Sequence, residues 1–290
     1  MSRVGLALIG AGLAFACAKA EPIRDGEQDA SDAAATDAPE DAPPDVVVDV
    51  AQDSVADVVT DAAAGCQCGE PFCGNCPGVA QVAAGGYSID ATEVTNAAYG
   101  DFLATNPKTS LQPAECAGNT SYLPNSGWPA ALDRQLHPVV DVDWCDARAY
   151  CGWAKKRLCG RVGGGANPYG DFTDSTKSQW HNACSGGGSR TFPYGVGYVA
   201  ATCNGADYGA GATTAAGSVK TCEGGYPGLF DMSGNVWEWE DSCNATSGAD
   251  DLCRIRGGSY AQNQSNLHCA ADSALPRGSA GKAVGFRCCS

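Results

Sequence analysis

Apolar residues recur along this chain in short, separate stretches, and each stretch predicts a small element. Tyr99, Phe102 and Leu103 fall at i, i+3 and i+4 after Thr95. That spacing predicts a helix capped by the Thr95 hydroxyl and stopped by Asn106-Pro107. Ala147, Tyr150, Cys151, Ala154 and Leu158 repeat at helical spacing after Asp143, so a second helix is expected there, closed by Lys155, Lys156 and Arg157, whose charge suits its C-terminal dipole. Tyr87–Asp90 and Val139–Val142 read as short strands. Thr176 and Gln179 have the spacing of a capping box, in which each side chain satisfies a free backbone N–H of the other, and they start a short third helix that ends at Gly186-Gly187-Gly188. From Phe192 onward the chain reads as turns and short extended pieces.

One stretch resists a periodic reading. Gly228–Trp239, GLFDMSGNVWEW, crowds large apolar rings and oxygen donors around a Ser233-Gly234-Asn235 turn, and it is read as a rigid loop pinned from both sides. Its later companion is Arg256–Tyr260, RGGSY.

The two ends of the chain differ in character. Residues 1–20 carry Arg3, the apolar run Val4–Phe15 and small residues up to Cys17, the layout of an export signal too short to span a bilayer comfortably. Ala14-Phe15-Ala16-Cys17 is an imperfect lipobox, so Cys17 is the expected site of lipidation, with cleavage after Ala18-Lys19-Ala20 as the alternative. Residues 21–65 hold 13 acidic side chains and one basic one among Ala, Pro and Val. They therefore carry -12 of the net -15, the first twenty residues carry +2 and the remainder carries -5. Such a segment cannot bury enough apolar surface to offset its chain entropy and is expected to be a disordered linker. The acidic balance argues against nucleic acid, which needs clustered Lys and Arg.

Residues 66–85 form a cysteine-rich connector and 86–290 a single domain. Of the 17 cysteines, 16 follow position 65, an even number in a chain that carries an export signal, so a disulfide network is expected rather than free thiols or metal clusters. Cys66, Cys68, Cys73 and Cys76 are read as a two-disulfide knot. Cys203 with Cys222 and Cys243 with Cys253 are paired on proximity alone, and Cys116, Cys145, Cys159 and Cys289 are left unassigned.

GLFDMSGNVWEW, RGGSY, Gly285-Phe286-Arg287 and three further stretches in the same order (Ile89–Leu103, His137–Leu158 and Trp180–Gly195) resemble the formylglycine-generating enzyme, or sulfatase-modifying factor, family from about Gly86 to Cys288. The resemblance implies an α+β fold of the formylglycine-generating-enzyme type, C-type lectin-like, disulfide-rich and poor in regular secondary structure. It also implies bridges Cys151–Cys288 and Cys184–Cys269. Family members bind calcium at this stretch, which points to Asn235 and Glu238 with main-chain carbonyls at Ser233, Gly234 and Val236, since calcium takes six to eight oxygens. A second calcium site would fall near Asn204 and Asp207.

The family's oxidase converts a substrate cysteine to formylglycine with molecular oxygen and a copper ion held by two cysteines downstream of GGSY. Here those positions are Gln262 and Leu267, and neither side chain offers the soft thiolate that Cu(I) requires. His137, His181 and His268 read as surface or packing residues, and no G-x-S-x-G or H-E-x-x-H pattern occurs. Copper is therefore not expected. The chain reads as an exported lipoprotein, periplasmic, surface-attached or secreted, whose domain binds a peptide, glycan or other ligand in a groove beside Ser259, Tyr260 and Gln262, with Trp237 in its wall or in the core. Two alternatives stand beside it: an oxidase using an altered thiol pair, Cys269 with Cys288 or Cys289, and a purely structural envelope protein.

Overall fold

The computed structural model describes residues 66–290. The export signal, Cys17 and the acidic linker lie outside the described residues. Among those described, no helix is long and apolar enough to cross a membrane.

Among the described residues, two four-stranded sheets, three short α-helices and six single 3-10 turns make up the regular structure. Strands β1 (Gln81–Ala84) and β2 (Tyr87–Asp90) form a hairpin across Gly85-Gly86, both with positive φ as such a tight turn requires. Helix α1 (Asn96–Ala104) is capped by Thr95, whose hydroxyl accepts from the Ala98 amide. Helix α2 (Trp144–Trp153) opens with a reciprocal capping box between Asp143 and Asp146.

Three expectations need correction here. Helix α2 ends at Trp153, because Lys155 takes a left-handed conformation with φ 59°, and Arg157–Leu158 leave as strand β3. Val139–Val142 forms no strand: Asp141 takes a left-handed conformation with φ 60°, and the segment is tied instead through Val139 N to Val94 O and a Thr95–Pro138 bridge. Helix α3 (Gln179–Ser185) takes Ser178 as its cap rather than Thr176, whose hydroxyl and amide both turn to Asp174.

Strands β4 (Trp237–Cys243), β5 (Leu252–Arg256), β6 (Ala274–Pro276), β7 (Val284–Phe286) and β8 (Cys288–Cys289) complete the set. One sheet runs β1-β2-β8-β3 and the other β6-β5-β4-β7, with β4 and β7 parallel. The carboxy-terminal residues thus serve both sheets, β7 in one and β8 in the other.

Most of the described chain is loop, and disulfides compensate for the missing ladders. Eight bridges use all sixteen described cysteines: Cys66–Cys73, Cys68–Cys76, Cys116–Cys145, Cys151–Cys288, Cys159–Cys289, Cys184–Cys269, Cys203–Cys222 and Cys243–Cys253. Two of them, at Cys288 and Cys289, fasten the last strand to α2 and to the segment after β3. The main core gathers Tyr99, Phe102, Tyr150, Trp153 and Phe286 in edge-on, tilted and stacked ring contacts, and Trp237 and Trp239 belong to the same cluster. A smaller one surrounds Ile89, Trp180, Leu229 and Met232.

Candidate functional site

The stretch read as an irregular loop is half strand. From Trp237 the residues run Trp-Glu-Trp-Glu, and the alternation sends successive side chains to opposite faces of β4. Trp237 and Trp239 enter the main core, and the Trp239 indole donates to Val142 O at 3.1 Å. Glu238 and Glu240 face the other way, where each meets a buried arginine. Arg256 Nη1 lies 3.1 Å from Glu240 Oε2, with both side chains wholly buried. Arg287 donates from Nε to Glu238 Oε2 and from Nη2 to Glu238 Oε1, each at 2.7 Å. The Trp180 indole adds a third donor to Glu238 Oε2 at 2.8 Å. A bidentate pair of this kind is stable in the interior only because nearly every donor and acceptor has a partner. The remaining Arg287 donors go to Asp90 O and Phe230 O, both at 3.0 Å.

The preceding turn is fixed as tightly. Asp231 and Asn235 both sit at positive φ, 58° and 60°, a conformation their short polar side chains tolerate. A methyl group added at Gly234 would come within 2.4 Å of Asn204 O, so the backbones of the two segments touch there. Asn235 N donates to Asn204 O at 2.7 Å, and Tyr260 N donates to Asn235 O at 3.0 Å, which joins the GGSY segment to this turn. The Asn235 side chain accepts from Asn204 Nδ2 and Thr214 N and donates to Glu93 Oε1 at 2.8 Å.

These contacts decide which oxygens are free for a hard cation. Both Glu238 oxygens and the Asn235 side-chain oxygen already accept from protein donors, so that pair does not fit a calcium cage. Asp207, read with Asn204 as a second site, accepts from the Tyr198 hydroxyl at 2.8 Å. Among the described residues, buried oxygens without a donor near this turn are Glu93 Oε2, Asp231 Oδ1 and Asn204 Oδ1. Burial raises the pKa of Glu93 well above the usual carboxylate range, and the Asp231 charge raises it further. Burial likewise pushes Asp231 up to about 6. Neither Glu93 nor Asp231 was singled out from sequence as a ligand, although the oxygen-rich character of the Asp231 loop was visible.

Around Gln262 and Leu267 the structure is filled by protein. Leu267 is 2 % exposed, and a methyl group added at Gly205 or Gly258 would lie 2.5 or 2.9 Å from its Cδ atoms. The leucine is therefore seated between two glycine backbones, leaving no space beside it. Gln262 accepts from Asn266 Nδ2 at 2.8 Å through its side chain and from Ala206 N at 2.8 Å through its carbonyl. Ser259 is buried, Tyr260 is half-buried, and its neighbours Ala261, Asn263 and Gln264 are exposed. The segment hydrogen-bonded to Gln262 exposes apolar side chains, with Val196 at 75 %, Val199 at 57 % and Tyr208 at 40 %. Five clefts of the described surface are lined by other residues than Ser259, Tyr260, Gln262 and Trp237. Cys269, Cys288 and Cys289, the thiols of the alternative oxidase reading, are each bridged to another cysteine. His181 Nδ1 meets Cys269 O and His137 Nδ1 meets the Thr213 hydroxyl, both packing roles.

A disulfide-rich α+β domain, with a paired-arginine strand at its centre and a closed-off position after GGSY, is the class of protein that fold and site define. The chain belongs to the family of the sulfatase-modifying factor enzyme 1-like domain, whose model matches residues 48–290. It is 30% identical over 268 residues to the formylglycine-generating enzyme of Mus musculus, covering 72% of this chain and 67% of that protein. It is also 30% identical over 184 residues to the inactive C-alpha-formylglycine-generating enzyme 2 of Bos taurus, covering 58% of this chain and 54% of that one. Among solved structures, PvdO from Pseudomonas aeruginosa aligns with a TM-score of 0.48 and 21% identity over 70% of this chain and 79% of that chain. The eight disulfides and the family place the domain outside the cytoplasm, where such bonds persist.

Proposed function

We propose that this is a non-catalytic, extracytoplasmic binding protein built on the sulfatase-modifying factor scaffold, attached to a membrane by lipid at Cys17. Its ligand, an extended peptide or similar chain, lies along Tyr260 and Gln262 against the exposed Val196, Val199 and Tyr208. The observation that carries the reading is Leu267. A buried aliphatic group fills the place where a thiolate would have to bind Cu(I), and every described cysteine is already in a bridge. The exposed Val196, Val199 and Tyr208, in the segment whose Ala206 amide donates to Gln262 O, support binding, because exposed apolar side chains favour a partner that covers them. A calcium ion belongs to the proposal at the free oxygens of Asp231 and Glu93. A rise in Tm with calcium, abolished by Asp231→Asn, tests that part.

Panning a random peptide library against the mature protein tests the main reading. Enrichment that disappears in Tyr260→Ala supports it, and no enrichment with folded protein overturns it. Conversion of a cysteine peptide to its formylglycine form under oxygen and Cu(I), read by mass spectrometry, would overturn the non-catalytic half.

A further inference from the structure

One recess of the described surface shares no residue with the GGSY region. It is a cleft of about 450 Å³ between the end of α1, the outer face of α2, β3 and the first cysteine loop. Phe102, Leu111 and Trp153 are among its lining, together with four cations: Lys108, Arg148, Lys156 and Arg157. A single carboxylate, Asp241, faces them. This concentration of positive charge stands out in a folded part whose net charge is -5, obtained as -15 less the -12 and +2 of the two leading segments.

Two of the four cations have structural employment. Lys156 Nζ lies 2.6 Å from the buried Asp90, and Arg157 donates to the Gln179 side chain. The other two are less committed: among the described residues neither Lys108 nor Arg148 enters an ion pair, although Arg148 lies over the Trp144 ring at 5.9 Å and its charge acts on Asp241. Four cations drawn together repel one another, so a recess of this kind is relieved by an anion. Asp241 narrows the choice. A bare inorganic anion gains nothing from a carboxylate in its site, whereas a ligand that also carries hydroxyl groups can donate to it. The volume suits one compact ring rather than a peptide.

We propose that this cleft binds an acidic sugar unit, its carboxylate or sulfate held by Arg148 and Lys108 and its hydroxyls donating to Asp241. The site is independent of the peptide reading above, and either can fail without the other.

Isothermal titration of the mature protein with glucuronate, glucosamine 6-sulfate, glucose and inorganic sulfate is the test. Binding of glucuronate or glucosamine 6-sulfate with Kd at or below about 1 mM is expected, weakening as salt is raised. Which of the two binds more tightly distinguishes a uronate from a sulfated sugar as the source of the charge. Lys108 and Arg148 are exposed, so the double variant Lys108→Ala, Arg148→Ala should fold, and about a tenfold to hundredfold loss of affinity is expected from it, the usual size for hydrogen bonds to charged groups. Asp241→Asn should weaken the sugar relative to inorganic sulfate, which should bind as well or better once a like charge is removed. Three results overturn the proposal: no acidic sugar binding near 1 mM, glucose binding as well as glucuronate, or inorganic sulfate binding as tightly as either sugar.

Discussion

The guanidinium of Arg287 holds both oxygens of Glu238, with Nε and Nη2 each 2.7 Å from its own oxygen. Glu238 lies in β4 and Arg287 links β7 to β8, so the pair ties the carboxy-terminal segment to the centre of the second sheet. Both side chains are buried. Breaking such a pair from one side leaves an uncompensated charge in the interior, which costs about 3–5 kcal/mol. Arg287→Met and Glu238→Gln should each lose about that much in urea unfolding. The double variant Arg287→Met, Glu238→Leu should recover part of the loss, because no charge then remains buried. Additive losses would show that the pair is not coupled.

The disulfides offer a ranking independent of any charge. Cys184 and Cys269 are 85 residues apart, while Cys243 and Cys253 are 10 apart. In the chain-entropy description the longer loop restrains the unfolded chain more even after the other bridges shorten it, by about 4 kcal/mol against about 3 kcal/mol. Serine pairs at the two bridges should therefore differ in Tm, with Cys184→Ser, Cys269→Ser the less stable. An equal or reversed order would place the stabilisation in native contacts instead.

What could be read from the sequence, and what could not, follows from the range of the signals. The caps of α1 and α2 are local, and Thr95 and Asp143 announce them within four residues. The distant pairing of Cys151 with Cys288 came only through family resemblance, since spacing says nothing about partners 137 residues apart. Strand β4 was missed because Trp-Glu-Trp-Glu looks like a mixed loop until both faces of the strand are known to be buried. An alternation of apolar and charged residues usually means one wet face. Here the charged face is dry and neutralised by Arg256 and Arg287, which the sequence places 16 and 49 residues from their partners. The same pairing explains why Glu238 reads as a cation ligand from sequence and serves as an arginine partner in the fold.

Stability should also respond to pH through Asp241. Burial pushes its pKa up to about 6, against the opposing pull of Arg148, Arg157 and Arg277 and with the help of Glu240. The folded protein thus binds a proton more tightly there than the unfolded chain does. Its contribution to stability is complete below about pH 4 and is lost as pH rises through about 6. Asp241→Asn removes the titration. Unfolding free energy measured across that range should fall with rising pH in the parent and fall less steeply in the variant. Parallel curves would mean that Asp241 titrates normally.

The closed position after GGSY gives a test that needs no ligand. Leu267 packs onto Gly205 so closely that a methyl group there would lie 2.5 Å from Cδ1 and 3.1 Å from Gln262 O. Leu267→Ala should cost about 2–5 kcal/mol through the cavity it opens. Gly205→Ala should be destabilising as well, because a well-packed site resists added volume at about 1–3 kcal/mol. Together the two changes exchange volume across one contact, so the double variant should be more stable than the sum of the single losses predicts. Denaturant unfolding of the four proteins measures this coupling. A sum that closes would mean that space remains beside Leu267, and with it room for chemistry at this position.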